Sequence, residues 1–379
     1  MKKGRMLLAA ALVLLAAVVA LPSQSVDVAK NALLLWIQAV VPALLPFFIG
    51  ASLLDKSGAA DFLAVLFSGF TRRIFRCSGY ASYSFILSML SGYPMGAKLI
   101  SQFVLEGKMD RSEAARAAAF CSTSGPLFML GTLGALMLGN VNAGIVIAIS
   151  HYTGAFMNGI IFNLGYKMPE IPDKRKALVR ALEAYKKRSS ESPAFGTALS
   201  ESIRDGMSAM FLICGTIMVF AVLAEALSVS GVLSWLSKLL FFMPDQLAQA
   251  SLWGVVEMAT GSRILADIQV SLPVIVSVMS FIVSFGGLSV HAQTLAFLSG
   301  AGISRKKYLL AKLLQGVFAA VVSALLCLCF PLESQPVFNL GVRNENSGIL
   351  IYPALVFLAA VLFVCLFMLF VHKRKKPAH

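Results

Sequence analysis

Two cations stand inside apolar segments that glycine and proline interrupt, and their chemistry points to the binding of an anion. Lys98 follows the stretch Ser91-Gly92-Tyr93-Pro94-Met95-Gly96, and Arg263 follows Thr260-Gly261-Ser262. A cation is costly in apolar surroundings, so it pairs with an opposite charge, lines water or binds something anionic. We hypothesise that both side chains approach one substrate from opposite sides and that each meets one of its two carboxylates.

A structural interpretation of the same cations stays open. Each long side chain can reach an aqueous interface along its aliphatic stem, or it can pair locally, as Arg263 would with Glu257 or Asp267. Glu257 has a second possible role, because a carboxyl group at membrane depth suits a proton-coupled carrier.

Hydroxyls, glycines and an amide near the same interruptions complete the expected substrate site. Non-helical backbone exposes N–H and C=O groups that can replace the hydration of a substrate. The alternative role of these residues is close helix packing and interhelical hydrogen bonding. His151 lies on an uninterrupted span and is interpreted as a packing residue. The predicted binding residues are Ser91, Gly92, Tyr93, Pro94, Gly96, Lys98, Ser122, Ser124, Gly125, Glu257, Thr260, Gly261, Ser262, Arg263, Gly286, Gly287, Ser289 and Gln293.

The composition indicates that these segments lie in a membrane. The 379 residues are 58% hydrophobic and 13% charged, which leaves too few charges to cover a soluble surface. Apolar runs of about 20 residues match the thickness of a bilayer. The net charge of +14 is spread over many loops, which argues against nucleic-acid binding. The six cysteines lack the paired spacing of a metal site, so we expect none.

The apolar runs predict an all-α polytopic membrane protein with eight transmembrane helices and two re-entrant hairpins. The hairpins are predicted at residues 83–105, which Ser91-Gly92-Tyr93-Pro94-Met95-Gly96 interrupts, and at residues 247–270, which Glu257-Met258-Ala259-Thr260-Gly261 interrupts. A further helix at residues 61–76 is expected to lie in the interface. The first run follows three cations and is interpreted as a retained helix rather than a cleaved signal. The predicted spans cover residues 6–21, 33–54, 114–138, 143–166, 207–227, 272–298, 309–330 and 349–371.

The cations orient this layout. Eight spans place both termini on one side, and most of the Lys and Arg residues fall in the loops of that side, including the stretch from Arg305 to Lys312. The positive-inside rule therefore predicts that both termini are cytoplasmic.

The order of elements repeats on either side of a basic linker. In each half, a hairpin precedes a span broken by glycine and then an uninterrupted span, and the two hairpins enter from opposite sides. This order predicts an inverted repeat with broken helices near the midplane. The predicted divisions are N-terminal helices at 1–54, a first repeat at 55–166, a basic cytoplasmic linker at 167–206, a second repeat at 207–330, and an external loop, C-terminal helix and basic tail at 331–379.

Three motifs resemble a known family. Ser91-Gly92-Tyr93-Pro94-Met95-Gly96-Ala97-Lys98, Cys121-Ser122-Thr123-Ser124-Gly125-Pro126-Leu127-Phe128 and Ser284-Phe285-Gly286-Gly287-Leu288-Ser289 closely resemble the YlbJ family of sporulation integral membrane proteins. The paired hairpins and broken helices are more distantly similar to nucleoside-recognition gate domains and concentrative nucleoside transporters. Ser122-Thr123 departs from the Asn-rich pair expected in many relatives, which puts the substrate details in doubt.

The resemblance implies a transporter of dipicolinic acid that works by alternating access in the outer forespore membrane during endospore formation. The alternatives are a transporter of nucleosides or another small polar metabolite, and a sporulation membrane scaffold that transports nothing. No enzyme motif is present in the sequence, so we expect no catalysis. The expected partners are an anionic small molecule and the lipid bilayer, with no cofactor, and a homo-oligomer stays open. The coupling ion, a proton or sodium, stays open.

Overall fold

All regular structure in the described part of the chain is helical. The computed structural model describes residues 2–167, 176–330 and 332. Two stretches, Trp36–Val40 and Leu127–Met137, are π-helical, and Lys238–Leu240 forms a 3₁₀ turn. The α-helices are α1 (Lys2–Ala20), α2 (Pro22–Leu35), α3 (Val41–Lys56), α4 (Ala59–Ile74), α5 (Gly79–Ser91), α6 (Met95–Leu105), α7 (Arg111–Ala117), α8 (Val141–Ile161), α9 (Ala177–Ser189), α10 (Phe195–Val229), α11 (Val232–Ser237), α12 (Asp245–Val256), α13 (Met258–Ala266), α14 (Leu272–Phe285), α15 (Gly287–Gly300) and α16 (Arg305–Cys329).

The chain is a polytopic membrane protein, which confirms the coarse fold prediction. Within the described residues, five helical segments are long and apolar enough to cross a membrane, and three shorter apolar helices accompany them. The long segments are Pro22–Lys56, Val141–Ile161, Phe195–Val229, Leu272–Gly300 and Arg305–Cys329.

Three of the eight predicted spans are not among these five. The run at 6–21 belongs to α1, in which the shorter stretch Ala11–Ala20 is apolar. The run at 114–138 is not one helix, because the chain is non-helical from Ser122 to Gly125 before the π-helical stretch Leu127–Met137. Pro126 explains that break, since proline lacks an N–H and disfavours helix at the residue before it. The run at 349–371, with the rest of the predicted C-terminal division, lies outside the described residues.

The two predicted hairpins are pairs of short helices. Helices α5 and α6 pack on each other around Gly92-Tyr93-Pro94, and α12 and α13 pack on each other around Glu257. Helices α14 and α15 meet at Gly286, where φ is +96° and a side chain would be strained. Every break therefore lies at a polar or glycine-containing stretch of an otherwise apolar segment.

The centre of the fold is built on two uninterrupted helices. Helices α8 and α16 pack on each other, and α14 packs on both. Gly154 permits the close approach of α8 to α16, because a Cβ there would lie 2.9 Å from the carbonyl oxygen of Gln315. Helix α10 packs on α2, α3 and α15 and closes another side of the hairpins.

The linker between the halves is partly helical, as its composition suggests. Helix α9 lies against α4, and Nε of Arg188 is 4.0 Å from a carboxylate oxygen of Asp61. Helix α10 begins at Phe195, before the predicted start of the second repeat at 207. Its first turns are anchored by Lys56, whose ammonium is 3.2 Å from the Glu201 carboxylate and 3.4 Å from that of Asp205.

Candidate functional site

The tip of the first hairpin abuts the break of the span that follows it. Gly92 has φ +81° and ψ −172°, which is essentially a glycine-only conformation. A Cβ on Gly92 would lie only 2.8 Å from the amide nitrogen of Gly125. A Cβ on Gly96 would overlap the carbonyl oxygen of Cys121. These glycines let the hairpin sit directly on the non-helical segment at 122–125.

Side chains satisfy the backbone that this non-helical segment leaves free. The N–H of Thr123 donates to Oγ of Ser88 at 3.0 Å, and the N–H of Ser124 donates to Nε2 of His151 at 2.8 Å. Tyr152 donates its hydroxyl to the Ser124 carbonyl at 3.1 Å. Membrane proteins tolerate irregular backbone only where such partners exist, so the segment is built to be non-helical.

The second half makes the corresponding contact. A Cβ on Gly287 would lie 3.0 Å from the carbonyl oxygen of Gly254 and 3.1 Å from the amide nitrogen of Met258. The break before α15 therefore abuts the tip of the second hairpin, as Gly125 abuts Gly92.

Glu257 caps the second half of this hairpin. Its carboxylate accepts from the N–H groups of Ala259 at 3.1 Å and Thr260 at 2.6 Å, at the beginning of α13. The hydroxyl of Ser289 also donates to it at 3.2 Å. A carboxylate at a helix N-terminus is stabilised by unpaired N–H groups and by the helix dipole. Glu257 therefore caps α13 and joins the hairpin tip to α15.

Both hairpin tips, the first break and the first two turns of α15 border one cavity of about 40 Å³. A space of this size holds a few water molecules, so a metabolite needs the surrounding elements to separate. Its polar lining comes from both halves of the chain, and α3 and α10 supply an apolar wall. The lining residues are Val40, Leu44, Tyr93, Ser124, Gly125, Phe128, Ile213, Ile217, Glu257, Met258, Ala259, Ser289, Val290 and Gln293.

A buried lysine lies behind Tyr93. Lys312 of α16 is 0% exposed. Its ammonium donates to the Tyr93 hydroxyl at 2.7 Å, to the Ser122 carbonyl at 2.9 Å and to the Gln315 amide oxygen at 2.7 Å. Tyr93 in turn donates to the carbonyl of Val283 at 3.1 Å. One chain of hydrogen bonds therefore links the first hairpin to α16 and α14.

His151 connects the two breaks. Because its Nε2 accepts from the N–H of Ser124, the ring proton of the neutral side chain lies on Nδ1. That Nδ1 is 2.8 Å from the hydroxyl of Ser284, just before the second break. The His151 carbonyl also accepts from the Gln315 amide at 3.2 Å. His151 thus belongs to the polar network, which its interpretation as a packing residue did not include.

The structure brings many of the predicted residues together. Tyr93, Ser124, Gly125, Glu257, Ser289 and Gln293 line the cavity. Ser91, Gly92, Pro94, Ser122, Gly286 and Gly287 form the adjoining tips and breaks. Gly96 and Gly261 serve close packing, because a Cβ on either would overlap neighbouring backbone. Thr260 and Ser262 lie on α13 beyond the lining, and neither hydroxyl has a hydrogen-bond partner among the described residues.

The two cations that the sequence singled out do not line the cavity. Arg263 is exposed and its Nε lies 3.6 Å from the Asp267 carboxylate, which is the structural alternative stated above. Lys98 is half-buried on α6. The two are not joined through a common group in this conformation.

Lys312 is the main residue that sequence reasoning missed. It was counted with the cations of a loop, and the structure corrects this, because α16 has already begun at Arg305 and carries Lys312 into the core. A signal was present in the sequence. Lys312, Gln315, Gly316, Ala319 and Ser323 recur with helical spacing, and this polar and small-residue face is the buried one.

A second group of cations surrounds Tyr166, just beyond α8. The Arg116 guanidinium lies 4.0 Å from the centre of the Tyr166 ring, and Arg76 donates to the Tyr166 carbonyl at 2.9 Å. Lys307 donates to the Tyr166 hydroxyl at 2.8 Å, and this hydrogen bond lowers the pKa of that hydroxyl below its usual value.

Comparisons with known proteins agree with this architecture. The Gate family, described as nucleoside recognition, matches residues 37–144, a range that includes the first hairpin and the first break. The sporulation integral membrane protein YlbJ of Bacillus subtilis (strain 168) is 35% identical over 328 residues, which cover 83% of this chain and 80% of that protein. No solved structure matches the chain.

Proposed function

Because the chain belongs to the YlbJ family of sporulation integral membrane proteins, we propose that it is a membrane transporter for a small organic anion. The convergence of both hairpin tips, the first break and the first turn of α15 on one cavity, whose largely apolar wall carries polar side chains from both halves, is the observation that supports this proposal. A protein that only scaffolds others has no need of polar backbone at membrane depth, whereas a transporter binds its substrate there.

Alternating access between inverted repeats is the proposed mechanism. The contact of Gly92 with Gly125 has its counterpart in the contact of Gly287 with Met258. In this proposal, residues 55–166 and 207–330 are the two repeats, their hairpins are re-entrant, and rocking of one repeat against the other opens the cavity to each side in turn. The small volume of the cavity is consistent with an occluded conformation.

Dipicolinic acid is the substrate we propose, carried across the outer forespore membrane with both termini of the protein in the cytoplasm. Two observations support this choice of substrate. The relative is named for sporulation, and the buried cation Lys312 bonds to Tyr93 in the cavity wall. Lys98 and Arg263 remain proposed contacts only for a conformation in which the hairpins have moved, because Arg263 pairs with Asp267 in this one.

A nucleoside is the second candidate substrate. Glu257 and Gln293 in the cavity wall offer oxygen acceptors that suit the hydroxyl and N–H donors of a neutral nucleoside. The description of the Gate family points to the same class of ligand. A carboxylate in the wall would repel a dianion, so the two candidates make opposite demands on Glu257.

Uptake by purified protein in liposomes tests the proposal. We expect dipicolinate to enter the liposomes, and entry is measured separately without a gradient, with a sodium gradient and with a proton gradient. Ala259→Leu should abolish entry, because the larger side chain fills the cavity. Gly131→Leu is the matched control, because it adds a comparable side chain where a Cβ would meet nothing.

Substitution of Glu257 distinguishes the two candidate substrates. Glu257→Gln should leave or improve dipicolinate uptake if the substrate is an anion, and should impair uptake if it is a nucleoside. Nucleoside uptake without dipicolinate uptake would reverse the choice of substrate, and the absence of both would leave a scaffold.

A further inference from the structure

Lys312 is a buried cation that no carboxylate neutralises. Its three acceptors are a phenol, a backbone carbonyl and a side-chain amide, and no carboxylate among the described residues lies within ion-pair distance of its Nζ. Charged residues inside a membrane are costly, pair with one another or with backbone carbonyls, and by default mark substrate, ion or proton pathways. The packing of α16 alone therefore does not account for this residue.

Two of the acceptors lie in the first repeat and the third lies with Lys312 in the second, and the proposed rocking would move these repeats relative to one another. Tyr93 is at the tip of the first hairpin and Ser122 is in the first break. Gln315 lies on α16 itself, and its side-chain amide also donates to the His151 carbonyl of α8. A single ammonium thus holds the hairpin, the break and the two central helices together.

The number of protons on Nζ decides which of these bonds can exist. An ammonium has three N–H donors, and the structure offers one acceptor for each. Tyr93 then accepts from Lys312 and donates to Val283. A neutral amine has two donors and one lone pair. Tyr93 would then turn its hydroxyl proton to Nζ, and the Val283 carbonyl would lose its donor.

We propose that Lys312 is the proton-binding site that couples transport to a proton gradient, and that Tyr93 transmits its protonation state to the cavity. The step moves one proton: the Nζ–H bond breaks, water on the open side accepts the proton, and the amine remains. The reverse step restores the third hydrogen bond. This inference rests on the transport function proposed above and names its coupling ion.

Other titratable groups near Lys312 are engaged differently. Tyr152 and His151 face it from α8, and both nitrogens of His151 already have partners. Helix α7 supplies Glu113, which accepts from the Ser78 N–H, and Arg116, which donates to Asn163. The last two neighbours bond to each other: Nδ1 of His291 on α15 is 3.0 Å from the hydroxyl of Tyr308 on α16. Helix α14 carries no titratable side chain.

Two residues compete for the role: one is Glu257, whose carboxyl group lines the cavity, and the other is His291. Its Nε2 is buried and has no hydrogen-bond partner among the described residues. It does not contact the cavity lining through a hydrogen bond, whereas Lys312 does so through Tyr93. The test therefore includes His291→Asn, which keeps an acceptor or donor near Tyr308 but cannot take up a proton.

Gradient-driven uptake in proteoliposomes distinguishes the outcomes. Dipicolinate uptake by the unchanged protein should respond to an imposed pH gradient. Lys312→Arg keeps a permanent charge, because arginine does not lose its proton in proteins; it should retain substrate exchange and lose the response to the gradient. Lys306→Gln alters an exposed lysine of the same helix and should respond as the unchanged protein does. A normal response in Lys312→Arg, its loss in His291→Asn alone or in Glu257→Gln alone, or no response in the unchanged protein would overturn the proposal.

A measurement that needs no substrate separates this inference from the transport function. In a chain whose six native cysteines are replaced, a cysteine is introduced by Val290→Cys in the cavity wall. Its labelling by a small thiol reagent is compared at acidic and alkaline pH, with and without Lys312→Arg. We expect the rate of labelling to depend more strongly on pH when Lys312 is present than in the Lys312→Arg background. In that background, only the ionisation of the introduced thiol changes with pH. Equal pH dependence in both backgrounds would refute a proton-controlled cavity, even if transport is demonstrated.

Discussion

The ammonium of Lys312 lies 2.7 Å from the hydroxyl of Tyr93, although the two residues are 219 positions apart in the chain. This bond joins the last long helix of the described residues to the tip of the first hairpin. Tyr93 also lines the cavity, and of the three residues that accept from Lys312 it is the one that does so.

Removing the Tyr93 hydroxyl should destabilise the fold. Tyr93→Phe leaves one N–H of Lys312 and the Val283 carbonyl without partners, and an unsatisfied buried polar group costs about 1–3 kcal/mol. Unfolding in detergent measures this cost. Tyr80→Phe removes a hydroxyl that bonds to Asp61 in a less buried place, and should cost less. Equal losses in the two variants would contradict the central role of the bond.

Tyr93 and Lys312 should also behave as one unit. The double variant Tyr93→Phe with Lys312→Met should lose less stability than the sum of the single variants, because residues in one hydrogen-bond network are not additive. Strict additivity in the same unfolding measurement would show that the bond contributes nothing specific.

Gly92 should not accept a side chain. Gly92→Ala needs both an unfavourable backbone conformation and displacement of Gly125, so we expect little folded protein after purification. Gly107 has φ +71° but open space around it, so Gly107→Ala should cost only about 1–2 kcal/mol of conformational strain. Size-exclusion profiles and melting temperatures compare the Gly92→Ala and Gly107→Ala proteins. A well-folded Gly92→Ala protein would disprove the close approach of the first hairpin to the first break.

His151 should be the neutral tautomer with its proton on Nδ1. Nitrogen chemical shifts of ¹⁵N-histidine-labelled protein report this directly, and the chain has only four histidines to assign. His151→Leu should remove the signal and cost about 1–3 kcal/mol, because the Ser124 N–H loses its acceptor. A proton on Nε2 would contradict the hydrogen bond from Ser124.

Tyr166 should ionise at lower pH than an ordinary tyrosine. The hydrogen bond from Lys307 favours the phenolate and lowers the pKa of Tyr166. Ultraviolet difference titration, with Tyr166→Phe to identify the signal, measures the pKa. Lys307→Met should raise it, whereas the exposed control Lys306→Met should leave it nearly unchanged; a Tyr166 pKa that does not respond to Lys307→Met would rule out this contact in solution.

Much of the architecture can be predicted from the sequence, because the residues that indicate it act locally. Apolar runs indicate a membrane protein, and the interruptions at Gly92-Tyr93-Pro94 and Gly286-Gly287 coincide with the ends of helices. Glycine and proline act on their own backbone dihedral angles, so their effect does not depend on distant partners. The break at Glu257 is different, because Gly261 lies inside α13 and the side chain of Glu257 caps that helix.

The composition of the site was decided by tertiary structure. Lys98, Arg263 and Lys312 are alike in the sequence as cations beside apolar residues, yet Arg263 pairs with Asp267 at the surface and only Lys312 is fully buried. That difference depends on which face of α16 packs against α8 and α14, and on acceptors supplied by residues far away in the chain. Burial and hydrogen bonding are properties of the assembled fold, so the residue type alone indicated a functional cation but could not identify which one.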